Sequence, residues 1–300
     1  MSQPITARYD FVYLFDCKDG NPNGDPDAAN SPRVDPQDMH GLVSDVCLKR
    51  KIRNFVQIAK PGGTEGYDIF IQQSAVLNDR IQKAHDDLGH KIDAKKGTTR
   101  DQVSSARTKM CARYYDVRTF GAVMSTGVNA GQVRGPVQIS FSRSIDPILP
   151  LDVSITRMAV AEAKDAESPN QTMGRKNLIP YGLYRCHGFI SANLANETSF
   201  TTDDLELFWQ ALAMMFDHDR SASRGTMAPQ ALLVFEHATP LGSAPAHKLF
   251  ERVKIAAKLG VTVARDFADY DLTFDGKPIE VTKPEAPIAV TENVKLHRKL

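Results

Sequence analysis

The segment from Arg8 to Arg53 constrains the fold more than any other part of this sequence. It begins with Tyr9–Asp16, a nearly continuous apolar run that carries an aromatic residue at every second position. A turn-rich loop follows, and Leu42–Gln57 then repeats apolar residues at helical spacing. Because the first run is apolar on both sides, it predicts a central strand that is covered on both faces. The segment therefore predicts a strand, a polar loop and a helix in close succession.

Charge is distributed unevenly along this segment, although the whole chain carries a net charge of only +1. Residues 16–40 hold six Asp against one Lys and one Arg, whereas residues 41–60 hold five Lys or Arg against one Asp. The predicted helix carries Lys49, Arg50 and Arg53 on one side. A local basic patch on a weakly charged protein favours an extended polyanion over a small buried substrate as the ligand.

The rest of the chain alternates predicted strands and helices. Further strands are predicted at Val133–Arg143, Leu151–Thr156, Tyr181–Ala192 and Ala231–Ala238. Further helices are predicted from Thr98 to about Thr119 with a capping box of Thr98 and Asp101, from Thr201 with Asp204 as its cap partner, and over Ala244–Leu259. Asp275-Gly276 between two short β runs predicts a tight hairpin. Without insertions the order is strand, helix, strand, strand, helix, strand, which predicts an α+β fold with a ferredoxin-like or RRM-like antiparallel sheet.

Catalytic and metal sites have weak signals in this sequence. Asp19–Asp25 matches the first half of an EF-hand loop, but the twelfth position would be Asn30, where a Glu is required. A calcium-binding module therefore remains a minor alternative. Asp16, Asp19 and Asp25 also leave open a magnesium-dependent endoribonuclease. We predict no catalytic residue, no metal and no cofactor, because no partner motif accompanies these carboxylates.

The four cysteines, Cys17, Cys47, Cys111 and Cys186, are scattered without CxxC spacing. That pattern argues against a zinc site and a disulfide framework, and favours reduced thiols in a cytoplasmic protein. No apolar run approaches the roughly 20 residues that a membrane helix needs, so we expect no membrane partner.

Two further segments have the character of binding loops. Phe120–Pro136 contains four glycines interleaved with Asn129, Gln132 and Arg134, and small residues let a backbone approach a phosphate closely. Met173–Lys176 combines an apolar tip with two cations, a pattern suited to straddling a nucleic-acid backbone. The end of the apolar helix, Asp217–Gly225, adds Arg220 and Arg224 as phosphate-binding candidates.

Taken together, these segments resemble the family of type I-C CRISPR-associated backbone subunits of the Cascade surveillance complex. The segments that carry the resemblance are Tyr9–Asp16, Lys18–Asp27, His40–Asn54, Phe120–Pro136, Met173–Tyr184 and Asp217–Gly225. The resemblance implies one RRM-like palm over residues 1–300, with a helical insertion at 60–119 and a thumb hairpin at 157–180. It also implies a protein without enzymatic activity, because type I backbones do not cut nucleic acid; related type III backbones cut RNA with an Asp, which keeps the endoribonuclease as the alternative.

The resemblance further implies the partners. Several copies of the chain would polymerise along one CRISPR RNA and present it for pairing with a target DNA strand, alongside other Cascade subunits and a recruited nuclease-helicase. Because base pairing reads the sequence, the protein needs to hold only the backbone and shape of the guide. The predicted RNA-binding residues are Lys18, Asn21, Asn23, Arg33, Lys49, Arg50, Arg53, Asn129, Gln132, Arg134, Met173, Arg175, Lys176, Arg220 and Arg224.

Overall fold

A large antiparallel sheet organises the molecule, and the computed structural model describes residues 2–62, 64–92, 97–157, 172–279 and 286–300. Across the sheet the order is β15 (Ile288–Thr291), β16 (Val294–Arg298), β11 (Thr226–His237), β1 (Tyr9–Gly20), β10 (Thr172–Ile190), β8 (Ser142–Pro147) and β4 (His40–Val43). β7 (Val137–Ile139) and β9 (Leu151–Arg157) also pair with β10. The predicted α+β class and antiparallel sheet are confirmed.

Smaller elements surround this sheet. The short strands are β2 (Gly24–Asp25), β3 (Ser31–Pro32), β5 (Gly121–Met124), β6 (Gly131–Arg134), β12 (Val253–Ala257), β13 (Tyr270–Phe274) and β14 (Lys277–Pro278). The helices are α1 (Asp45–Ala59), α2 (Leu77–Asp87), α3 (Arg100–Arg113), α4 (Tyr115–Phe120), α5 (Ala192–Thr198), α6 (Thr202–Met214) and α7 (Ala246–Glu251). Within the described residues, no helix is both long and apolar enough to cross a membrane.

The central strand β1 is buried on both faces, as its sequence predicts. Phe11 and Phe15 belong to one hydrophobic cluster, which α1 and α6 complete with residues such as Leu48 and Phe208. The alternate residues of β1 belong to a second cluster on the opposite face, which α7 and the β12–β13–β14 sheet cover. Side chains alternate across a strand, so a run that is apolar at every position needs a layer on each side.

A third hydrophobic cluster lies outside the sheet and joins α2, α3 and the β5–β6 hairpin. Its buried residues include Phe70, Ile81, Met110 and Met124. We call this part of the structure, residues 68–92 and 97–134, the helical lobe. It contains most of the predicted insertion at 60–119 and, in addition, the glycine-rich hairpin.

The long helix predicted up to Thr119 is interrupted. α3 ends at Arg113 because Tyr114 is extended (φ −106°, ψ 114°) and forms a β-bridge with Asp68. Its capping box is formed by Thr99 and Gln102, so the predicted pair of Thr98 and Asp101 is wrong by one residue. A tertiary contact thus overrides the local helical pattern.

Two other predictions fail at places where the chain changes its partner. The strand predicted over Val133–Arg143 is divided among β6, β7 and β8. Phe141, which strict alternation with Val137 and Ile139 would bury, is 58% exposed. A Cβ atom at Gly135 would lie 2.2 Å from the backbone of Phe120, which shows how closely the chain passes there. The helix predicted over Ala244–Leu259 ends at Glu251, because Val253–Ala257 pairs with β13 as a strand. By contrast, the cap at Thr201 and the hairpin at Asp275-Gly276 are confirmed.

Strand β10 changes its partner halfway along its length. Its second part, from Ile179 to Ile190, pairs with β1 in the central sheet. Among the described residues its first part, from Thr172 to Leu178, pairs with β9 alone, so the two strands form a ribbon. We call this ribbon, Leu151–Arg157 with Thr172–Leu178, the hairpin arm. The predicted thumb at 157–180 falls partly on it, and residues 158–171 lie outside the described residues.

Candidate nucleic-acid interface

Three segments that are far apart in the sequence meet around a cavity of about 600 Å³. They are the loop after β1 (Asn21–Arg33), the start of α1 (Ser44–Lys51) and the turn after α6 (Asp219–Arg224). We call this cavity the basic cleft. The charged side chains that line it are Arg33, Arg50, Lys51, Arg224 and Asp219. Four cations against one carboxylate give the lining an excess of positive charge, an arrangement that suits an anionic ligand.

Backbone contacts bring these segments together. The amide of Asn21 donates to the carbonyl of Ser223 at 2.8 Å. A Cβ atom at Gly20 would lie 2.0 Å from the carbonyl oxygen of Arg224. Only glycine allows β1 and the later turn to approach so closely. This contact places Arg224 beside a loop that lies about two hundred residues earlier in the sequence.

The two asparagines predicted in the first loop have different environments. The Oδ1 of Asn23 accepts hydrogen bonds from the amide of Ser44 at 2.9 Å and from its hydroxyl at 3.0 Å. Ser44 in turn caps α1 by accepting from the amide of Cys47 at 3.3 Å. Asn23 therefore positions the start of α1. Asn21 is only 7% exposed, and its Oδ1 has no partner within the described residues.

The cations of α1 divide among three environments. Arg50 is exposed and lines the basic cleft. Lys49 pairs with Asp45 at 2.9 Å and lies 5.7 Å from the centre of the Phe120 ring. Arg53 is 8% exposed and donates to the buried carboxylate of Asp116 at 2.8 Å.

Lys51, which is not among the residues predicted to bind RNA, also lines the cleft. It forms an ion pair with Asp219, and its ammonium lies 5.7 Å from the centre of the Phe216 ring. Arg224 forms an ion pair with the same carboxylate. Burial lowers the pKa of Lys51 to about 8, and the nearby charges of Arg224 and Arg50 act in the same direction. No local spacing could have identified a lysine and an aspartate 168 positions apart as partners.

Arg33 completes the cationic lining of the cleft. Its guanidinium lies 3.4 Å from the carboxylate of Asp25, and its Nε is buried without a partner within the described residues. Burial of an unpaired donor is costly, so an acceptor supplied by a ligand would stabilise this group.

The other predicted RNA-binding residues lie outside the cleft. Asn129, Gln132 and Arg134 belong to the β5–β6 hairpin of the helical lobe, where Asn129 accepts from the amide of Gly131 at 2.7 Å. Lys18 is exposed near the end of β1, and Arg220 is exposed and paired with Asp217.

The hairpin arm carries the remaining three predicted residues. Met173 is 70% exposed, Arg175 pairs with Asp152 at 2.9 Å, and Lys176 lies opposite Val153. The side-chain amide of Asn177 donates to the carbonyl of Ala29 at 3.1 Å. This bond joins the base of the arm to the loop that lines the cleft.

The acidic residues of the first segment make separate contacts. Asp16 accepts from Tyr181 at 3.2 Å and from Gln230 at 2.9 Å, and burial raises its pKa. Asp25 pairs with Arg33. In the part of the chain that the structure describes, no group of three or more His, Cys, Asp or Glu side chains is placed to hold a metal ion.

Comparison with known proteins identifies relatives of this chain. A family model described as CRISPR-associated protein Cas7 matches residues 7–275. A protein of that name from Haloferax volcanii is 26% identical over 226 residues, which are 68% of this chain and 64% of the relative. The chain thus spans less than two thirds of that relative's length. A chain from a structure described as a CRISPR RNA-guided surveillance complex, pre-nicking, has a TM-score of 0.50 at 11% identity over 76% of this chain and 78% of that one, a likeness of fold alone.

Proposed function

The chain belongs to the CRISPR-associated Cas7 family, and from that premise we propose that it is a backbone subunit that binds CRISPR RNA in a surveillance complex. We assign it to the type I-C Cascade complex, in the cytoplasm, on the segments that resemble that group. The proposal includes the partners expected from the resemblance: adjacent copies of the chain, other Cascade subunits, a target DNA strand and a recruited nuclease-helicase.

The basic cleft is the observation that carries this proposal. Arg33, Arg50, Lys51 and Arg224 come from three separate segments and converge on one cavity. Lysine and arginine hold phosphates without regard to base identity, and this hold weakens with salt because counterions are released on binding. A guide whose bases pair with a target needs this kind of contact, since its base edges have to stay free.

The arrangement of the chain supports a palm with two insertions. The central sheet with α1 and α6 would form the palm, with the helical insertion at 60–119 and the thumb hairpin at 157–180 as its two insertions. The hairpin arm presents a row of exposed apolar side chains, Leu151, Val153 and Ile155, on one face of β9. Such a row on a ribbon suits contact with a neighbouring copy.

We also propose that the chain has no catalytic role. Asp16 is engaged by Tyr181 and Gln230, and Asp25 by Arg33, so these carboxylates serve as structural acceptors. The alternative, a metal-dependent endoribonuclease of the same fold, requires them to share an ion.

The test is to purify the full chain and mix it with single-stranded RNAs of increasing length. We expect salt-sensitive, sequence-independent binding and a number of bound copies that rises with RNA length. A monomer that ignores RNA at low salt would overturn the proposal. Incubation of the complex with complementary RNA and Mg²⁺ separates the alternative, since periodic cuts that disappear in Asp16→Ala would favour the endoribonuclease.

A further inference from the structure

Asn21 lines the basic cleft and carries a buried side-chain acceptor that has no partner within the described residues. Its side-chain amide nitrogen donates to the carbonyl of Asn30 at 2.6 Å. Because a carbonyl only accepts, this bond determines which end of the amide is nitrogen and which is oxygen. The oxygen, Oδ1, is buried and has no donor within the described residues, and Asn21 lines the cleft.

A phosphate cannot satisfy this oxygen. Phosphodiester oxygens are acceptors, so they pair with the cations of the cleft and with the unpaired Nε of Arg33. Asn21 Oδ1 requires a donor instead. A cleft that offers several donors for an anion and one buried acceptor suits a ligand in which a hydroxyl lies close to a phosphate.

The sugar-phosphate backbone of RNA has this chemistry, since each ribose carries a 2′-hydroxyl beside the 3′-phosphate. That hydroxyl can donate a hydrogen bond, and it is the group by which a protein distinguishes RNA from DNA at a given site. We propose that Asn21 accepts a hydrogen bond from a ribose 2′-hydroxyl and thereby selects RNA over DNA in the basic cleft. The inference rests on the proposed function, in which the cleft holds the guide.

The first experiment needs no variant. Binding of the full chain is measured for three strands of one sequence: RNA, uniformly 2′-fluoro RNA and DNA. Fluorine keeps an RNA-like sugar but removes the donor. We expect 2′-fluoro RNA to bind roughly 10-fold more weakly than RNA, the effect of one hydrogen bond to a buried acceptor, and DNA to bind more weakly still. Equal binding of RNA and 2′-fluoro RNA would overturn the inference.

A variant then assigns the effect to Asn21. In Asn21→Ala we expect the difference between RNA and 2′-fluoro RNA to disappear. Asn177→Ala is the matched control, because its amide also donates to a carbonyl of the same loop, that of Ala29 at 3.1 Å, yet it does not line the cleft. The control should keep the full difference. If Asn21→Ala also keeps the difference in affinity between RNA and 2′-fluoro RNA, a different residue contacts the 2′-hydroxyl and the inference is wrong.

An acylating reagent that reacts with free 2′-hydroxyls provides a readout on the unaltered protein. One hydroxyl per bound copy should be protected, and unchanged reactivity along the strand would contradict the inference. These outcomes are distinct from a failure of the proposed function, in which none of the three strands binds.

Discussion

Both sides of α1 carry cations close to carboxylates, but the balance between donors and acceptors differs between the two sides. Toward the helical lobe, Arg53 meets Asp116, whose carboxylate also accepts from the amides of Phe70 at 2.7 Å and Ile71 at 3.0 Å. We call this contact the lobe seam. Toward the basic cleft, four cations and the one carboxylate of Asp219 line the cavity, and Asp219 pairs with Lys51 and Arg224. The acceptor of the seam is fully engaged within the chain, whereas the cleft retains an excess of donors.

This difference separates a structural ion pair from a binding surface. A buried charge is tolerated only when its partners are close and complete, and Asp116, at 1% exposure, meets that condition. A second such pair, Arg118 with Asp204 at 2.7 Å, joins α4 to α6. Where cations outnumber the carboxylates around them, as in the cleft, positive charge stays available to a ligand. The sequence assigns Arg50 and Arg53 to the same basic helix, but their surroundings differ in this respect.

The sharpest test of the comparison is Arg53→Met. It would leave the carboxylate of Asp116 buried with only its two amide donors, so we expect a loss of about 3–5 kcal/mol in the free energy of unfolding. Urea unfolding followed by circular dichroism measures the loss. The control, Arg50→Met, changes an exposed side chain and should stay within about 0.5 kcal/mol of the parent. If Arg53→Met kept full stability and lost RNA affinity, the seam would belong to the binding surface.

The second prediction concerns the cleft side of the same helix. Arg50→Glu should leave the melting temperature nearly unchanged and weaken RNA binding, because a cation that faces the ligand becomes an anion. The slope of log affinity against log salt concentration should fall in magnitude by about 0.7, the value for one phosphate contact on a single strand. Lys254 is an exposed residue of β12, on the other face of the sheet. Lys254→Glu makes the same change of charge and should keep the parent slope. An unchanged slope in Arg50→Glu would remove Arg50 from the interface.

The smallest expected effect is a pH dependence from Lys51. Burial lowers its pKa to about 8, so the ammonium is charged at pH 7 and becomes neutral as the pH rises through that value. RNA affinity should therefore fall about 10-fold between pH 7 and pH 9.5, the lower end of the strength of one hydrogen bond to a charged group. A bound phosphate would favour the charged form and move the midpoint upward. Titration of Lys51→Met supplies the control, since that variant should bind weakly at every pH. A parent chain with constant affinity over this range would show that Lys51 does not reach the ligand.

Local pattern in the sequence predicted much of the framework. The apolar run at Tyr9–Asp16 predicted a strand buried on both faces, and Thr201 with Asp204 predicted the start of α6. It also placed Asn21, Arg33, Arg50 and Arg224 among the candidate residues, because polar loops and cations are visible without a structure. Whether these residues bind RNA stays a prediction.

The sequence by itself determined which segments are strands or helices where a strong periodicity agreed with the final packing, because that periodicity follows from the geometry of the backbone. Only the tertiary structure decided that α7 ends before Val253 and α3 before Tyr114, since these two residues pair with strands or residues distant in the chain. It alone also decided that Lys51 meets Asp219 and that Arg53 meets Asp116. Charge is a property of single residues, whereas the presence or absence of a partner depends on which segments fold against each other.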